Sequence, residues 1–136
     1  MKPVFVDSGA FFGHLVAEDA AHDAAVVLFT RAMTESWDLV TTNFVVAETY
    51  ALLINRARRG RQLALQLIDA VQAGTFRVER VSPDDEARAM ALVRQQADKT
   101  YSLCDAMSFV VMERLGITEA IAFDRHFAEY GRFTVL

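Results

Sequence analysis

Cysteine is nearly absent: Cys104 is the only one in 136 residues. An internal disulfide is therefore excluded, as is every multi-cysteine zinc site. The three histidines, His14, His22 and His126, form no H-E-x-x-H pair or comparable zinc spacing. They also give Cys104 no recognisable hydrolase context, so that residue reads as packing. Glycine-rich phosphate cradles are missing too: neither G-x-G-x-x-G nor G-x-x-x-x-G-K-[ST] occurs, which argues against nucleotide-cofactor enzymes. No apolar run approaches the roughly 20 residues of a membrane span. The short run after Met1-Lys2-Pro3 lacks the length and the cleavage site of a signal peptide. The expectation is no membrane contact and a cytoplasmic location. Positive charge is in deficit, with 14 Lys and Arg against 18 Asp and Glu, a net charge of −4. Such a balance is a poor match for holding long duplex DNA by charge alone, but it leaves room for an acidic site that handles nucleic acid locally.

There is also no internal repeat, low-complexity segment or linker, and 53% of the residues are hydrophobic. One domain spanning 1–136, with one real core, is expected. Pro3 to Asp7 reads as a strand buried on both faces. A short helix over Ala10 to His14 follows, then helical character from Asp19 to Thr34 with Ala24, Val27 and Leu28 spaced to share a face. Asp38 to Thr42 is a second strand. Asn43 is placed to cap a helix through about Arg58, with Gly60 just past its end. Arg61 to Ala73 is helical and is stopped by Gly74. Phe76 to Val81 alternates imperfectly, as a strand nearer the sheet edge does. Ser82-Pro83-Asp84-Asp85-Glu86 starts a helix reaching about Ala97, with a cap, a proline and then acids in the first turn. Ser102 opens another helix, ending near Leu115-Gly116. Glu119 to Phe123 is a strand, Asp124 begins a short helix, and Phe133 to Leu136 is a last strand. Strands alternating with helices in this way specify an α/β fold with a parallel sheet and right-handed crossovers.

Four acids stand where an acid is locally out of character. Asp7 ends Val4-Phe5-Val6, and Asp124 ends Ala120-Ile121-Ala122-Phe123. Glu48 has Phe44, Val45, Ala51 and Leu52 as its helical neighbours. Asp105 lies in Tyr101-Ser102-Leu103-Cys104-Asp105-Ala106-Met107-Ser108-Phe109. Asp7 and Asp124 at strand ends also fit simple helix caps, and Asp105 fits a first-turn complement to the helix dipole. An acid aimed at a core, however, has to be paired, hydrogen-bonded or bound to a cation. In parallel sheets ligands bind beyond the carboxyl ends of the strands, where all four acids can gather. Two unit charges about 4 Å apart repel by roughly 4 kcal/mol at an effective dielectric near 20. Several such repulsions rival a domain's whole stability of about 5–15 kcal/mol. A gathered set must therefore hold protons or hard divalent cations, and the latter point to phosphate chemistry.

In their order, Val4-Phe5-Val6-Asp7-Ser8, Val46-Ala47-Glu48, the stretch around Asp105, and Ala122-Phe123-Asp124-Arg125-His126-Phe127 resemble the motifs of PIN-domain nucleases. The resemblance covers essentially the whole chain and is nearest to the VapC-like toxin ribonucleases of bacterial toxin–antitoxin pairs. It implies a PIN-like α/β/α sandwich around a five-stranded parallel sheet in the order 3-2-1-4-5. It also implies Mg2+- or Mn2+-dependent cleavage of RNA, a small antitoxin partner and a homodimer. Carried over by position, Asp7, Glu48, Asp105 and Asp124 would form the metal site. Asp7 and Asp105 would be the direct ligands, Glu48 would serve a second ion or a water, and Asp124 would act through water. Ser8 and Ser102 match supporting polar positions. Asn43 stands in for the serine or threonine that relatives carry beside the helix start.

Arg56, Arg58, Arg59 and Arg61 form the densest basic cluster, and Arg125 adjoins Asp124. They are candidates for RNA or partner contacts, or for a solvated helix end. Phe5, Phe11, Phe12, Phe44, Phe109 and Phe123 are read as core. Two rival functions are a catalytically degenerate PIN domain that only binds RNA or protein, and a phospho-acceptor receiver or aspartate-nucleophile phosphatase. The degenerate reading needs a broken acidic set, and this one is whole. The receiver wants an acidic pair and a late lysine, yet Val6 precedes Asp7 and no lysine follows Lys99. The phosphatase wants a second aspartate two residues on, where Gly9 stands.

Overall fold

The apolar run near the start of the chain becomes the middle of a sheet. The structure is a computed structural model describing residues 1–136. In it β1 (Pro3–Val6) runs parallel to a strand on either side, and Val4, Phe5 and Val6 are wholly buried. A strand sandwiched in this way cannot alternate polar with apolar, and it does not. Its neighbours are β2 (Asp38–Thr42), paired Phe5 to Val40, and β4 (Glu119–Ile121), paired Val6 to Ile121. The edges are β3 (Arg77–Glu79) and β5 (Thr134–Val135). All pairs are parallel and the order is β3-β2-β1-β4-β5. This is the expected α/β/α architecture.

Between the strands run α1 (Ser8–Leu15), α2 (His22–Thr34), α3 (Asn43–Arg56), α4 (Gly60–Gln72), α5 (Pro83–Gln95), α6 (Leu103–Leu115) and the short α7 (His126–Tyr130). Phe5, Phe29, Val40, Leu53, Leu67, Phe109, Met112, Ile121 and Phe127 belong to one continuous core. Trp37 is buried where α2 meets β2, with the Lys2 ammonium 4.3 Å from its ring centroid. Both α5 and α6 start with reciprocal capping boxes, Ser82 with Asp85 and Ser102 with Asp105. Each box satisfies two backbone donors that the helix leaves orphaned. Gly116, with φ of 69°, closes α6 in the left-handed conformation, as the sequence predicts.

Several local expectations are corrected. The cap of α3 is Thr42, whose hydroxyl accepts from the Val45 amide at 3.1 Å, and not Asn43. The Asn43 side chain instead accepts from the Val81 amide at 2.9 Å and ties α3 to the chain leaving β3. Gly60 does not end α3, which stops at Arg56. It opens α4 at a close crossing where any Cβ would run into the Leu53 carbonyl. The buried face of α2 is Ala25, Leu28, Phe29 and Ala32, while Ala24 and Val27 face outward. Phe44 and Phe123 are not core, since each is 36% exposed.

Candidate metal centre

The sheet delivers its acids to one rim. Asp7 directly follows β1, and its backbone N–H donates to the Ile121 carbonyl at 3.1 Å, extending the ladder to β4 by one rung. It occupies the N-cap position of α1, yet its carboxylate makes no capping hydrogen bond. The simple cap reading therefore fails for Asp7, a residue only 2% exposed. Burial pushes its pKa well above the usual carboxylate range, reinforced by the charges of Asp124, Asp105 and Glu48, while the Ser8 amide opposes the rise. The three acids the sequence groups with Asp7 are the three whose charges it feels.

Asp105 arrives from the N3 position of α6. Its Oδ2 accepts from the Ser102 amide at 3.1 Å and contacts His126 Nδ1 at 2.7 Å. Its pKa too is raised, by burial first and then by Asp124, with the Ser102 amide and His126 pulling it back. Both contacts fall on one oxygen, and Oδ1 makes no hydrogen bond within the chain. Asp124 follows β4 after two residues and is exposed, and its Oδ1 accepts from the His126 amide at 2.9 Å. That contact is a local turn bond two residues on and not the helix cap, which falls at Arg125. One ligand atom from each of Asp105, Asp124 and His126 lies within 4.8 Å of the other two. Glu48, on the second turn of α3, accepts a 2.5 Å hydrogen bond from the Ser8 hydroxyl. Asp105 and Asp124 thus meet at ligand distance with His126, Asp7 feels the charges of Asp124, Asp105 and Glu48, and Ser8 and Ser102 are bonded to Glu48 and Asp105.

A hard divalent cation fits this donor set. The oxygens are anionic, they converge, and one of them is buried without a cation of its own. His126 is the residue that sequence reasoning missed. No zinc spacing flags it, and only the packing of α7 against α6 brings it to Asp105; Tyr101 stands edge-on to its ring at 5.7 Å. Its place two residues after Asp124 was the available signal. Cys104 is half-buried and its thiol is pushed up by burial and by Glu48, Asp7 and Asp105, so it is no nucleophile.

The basic cluster does not act as one. Arg56 lines a cavity of about 240 Å3 together with Ser8 and Asp124. Arg58 and Arg59 border a separate depression beside Glu18 and Leu63. Arg61 is exposed on α4. Arg125 is spent on Glu129 at 3.0 Å. The largest cavity, about 540 Å3, lies among α5, α6 and α7 and contains none of the four acids. It is a groove lined by Arg88, Arg114 and Arg132, with no convergent donor set to recommend it.

An open parallel sheet in this order, with acids at the carboxyl rim, is the PIN arrangement. The PIN-domain profile matches residues 4–133, and the chain belongs to the PIN-domain family. Within it, the chain is similar to the 23S rRNA-specific endonuclease VapC20 from two strains of Mycobacterium tuberculosis. Each is 33% identical over 128 residues, 94% of this chain and 94% of theirs. The crystal structure of Mycobacterium tuberculosis VapC20, a sarcin–ricin loop cleaving toxin, has a TM-score of 0.83 and 34% identity to it. That likeness covers 97% of this chain and 98% of the other.

Proposed function

We propose that the chain, residues 1–136 acting as one PIN domain, is a metal-dependent endoribonuclease and the toxin of a toxin–antitoxin pair. The observation that carries this is the buried, uncapped carboxylate of Asp7 among Asp105, Asp124 and Glu48. Membership of the PIN family and similarity to an RNA-cleaving toxin supply the reaction class. Asp7, Asp105 and Asp124 would hold the ion, and Ser102 and His126 keep Asp105 in place. Mg2+ or Mn2+, when bound there, would offset the carboxylate charge and supply an activated water for attack on phosphorus. Glu48, steadied by Ser8, would orient the attacking water and accept its proton. Arg56 stands where an RNA backbone would pass.

The expected partner is a small antitoxin. A basic side chain entering the rim would be drawn in by the same clustered carboxylates that hold the ion. A second copy of the chain is the other expected partner, supported by apolar side chains left outside, with Val27 59% and Met33 83% exposed. No helix is long and apolar enough to cross a membrane, and an RNA target places the activity in the cytoplasm.

The test is cleavage of single-stranded and structured RNA with Mg2+ or Mn2+, with EDTA as control. Asp7→Asn should lower the rate by about 10³-fold or more, the scale of several kcal/mol of transition-state stabilisation. Full Mg2+-dependent cutting by that variant contradicts the role given to Asp7. A wild-type protein that cuts nothing favours the degenerate, binding-only reading.

A further inference from the structure

The cavity of about 240 Å3 beside the acids has walls that metal chemistry does not need. It is lined by Phe12, Ala21, Leu52 and Phe123, with Asp19 and Arg56 as its polar groups away from the acids, and it opens onto Ser8 and Asp124. The volume falls below the roughly 300–1,000 Å3 of drug-sized sites and suits one flat ring. Phe123 is an aromatic lip, 36% exposed, where the sequence leads one to expect a core residue. Arg56 is exposed at the end of α3 and makes no salt bridge within the chain.

Asp19 is held rather than loose. Its Oδ2 accepts from the Ala21 amide at 3.1 Å, its own amide donates to the Val16 carbonyl at 3.1 Å, and its carbonyl accepts from the His22 amide at 3.0 Å. The His22 ring meets the Gly13 carbonyl at 2.8 Å and locks the loop to α1. Gly13 lets the loop approach closely, since a Cβ there would lie 3.4 Å from Asp19 Oδ2 and 3.3 Å from Ala21 Cβ. The second carboxylate oxygen has no such duty.

We propose that this cavity receives one unpaired RNA base next to the scissile phosphate and selects bases that carry an amine. The proposal deepens the nuclease reading and rests on it. The base stacks on Phe123, as single-stranded bases do on aromatic platforms. Asp19 accepts from its Watson–Crick edge, and Arg56 takes the flanking phosphate. A carboxylate only accepts, so guanine, with two adjacent donors, fits best. Cytosine and adenine follow, and uracil, whose edge presents two carbonyls, is disfavoured.

Sequencing the ends left by cleavage of a random RNA pool tests this. Wild-type cut sites should carry an amine-bearing base at one fixed flanking position about tenfold more often than uracil. Asp19→Asn keeps the acceptor for the Ala21 amide but replaces the free oxygen with a donor, so the preference against uracil should vanish. An unchanged profile in that variant, or a flat profile in the wild type, overturns the proposal. The second measurement needs no catalysis: metal-free 15N protein is titrated with GMP and with UMP. Amide signals of Asp19, Ala21 and Phe123 should move with GMP at a concentration about tenfold lower than with UMP. Equal responses, or none, overturn the pocket. A wild-type chain that cuts no RNA sinks the nuclease reading instead, and the titration then decides the pocket alone.

Discussion

Asp7 shows what a functional residue costs its own fold. Its burial and its three acidic neighbours penalise the charged form, a cost that the proposed cation would relieve. Asp7→Asn removes that charge while keeping the shape. We therefore expect metal-free Asp7→Asn to be more stable than wild type at neutral pH by about 0.5–2 kcal/mol, the usual scale for relieving one unfavourable group at a functional site. Added Mn2+ should raise the melting temperature of wild type and barely move the variant, as differential scanning fluorimetry would show. His126 makes a different prediction. It contacts one oxygen of Asp105 at 2.7 Å, the outer support that the metal-binding role proposed for Asp105 requires. His126→Ala should cost about 10–100-fold in Mn2+ affinity, and His126→Gln, which can still donate, should recover part of it. Calorimetry of both variants checks this, and equal losses would remove His126 from the support of Asp105. The four acids were legible in the sequence because each interrupts an apolar pattern. His126 was not, because its partner lies 21 residues away and no periodicity connects them.

The elements are held by a few close approaches that the chain's local pattern reveals only in part. Ser82 and Ser102 announce their helices through offsets of three residues, and those starts are found where expected. Gly60 has the same composition cue as a helix stop, but its reason is the neighbouring helix: a Cβ would meet the Leu53 carbonyl. Gly60→Ala should therefore destabilise the protein by about 1–3 kcal/mol, the usual cost of overpacking, measurable in urea melts. No loss would mean that α3 and α4 can separate freely. The outward turn of Val27 was hidden for a related reason. The α2 stripe contains more apolar residues than the core side needs, so spacing alone could not choose the face. Between α5 and α6, Arg114 grips Asp85 through Nε at 2.9 Å and Nη2 at 2.8 Å, and reaches Glu79 on β3. The Arg114 guanidinium holds the Asp85 carboxyl below its usual range despite burial. A depressed carboxyl stabilises the fold fully above its unfolded value, about 3.9, and the contribution is lost as pH falls through the lower folded value. Arg114→Met should cost about 2 kcal/mol near neutral pH, less than a fully buried pair because Arg114 is 38% exposed. That deficit should shrink below pH 4 in acid melts, and a deficit independent of pH would mean packing, not charge, is lost.

The molecule as a whole is a parallel sheet whose two central turns, after β1 and β4, hold acids apart in sequence and together in space. Alternation of apolar runs with helical stretches made the fold class readable, and the motif order made the strand order readable through family likeness. The contact between Asp105 and His126, the cavity under Phe123 and the separation of Arg56 from Arg58 and Arg59 are tertiary facts, set by how α1, α3 and α6 pack against the sheet. In the proposed function, Asp7 and Asp105 share a divalent cation at the carboxyl rim of β1 and β4. Crystals soaked in Mn2+ and measured at the manganese absorption edge test it directly. The account predicts an anomalous peak within about 2.5 Å of both carboxylates, with Asp124 nearby, and no such peak in Asp7→Asn. A peak elsewhere, or a wild-type rim that stays empty at millimolar Mn2+, would contradict it.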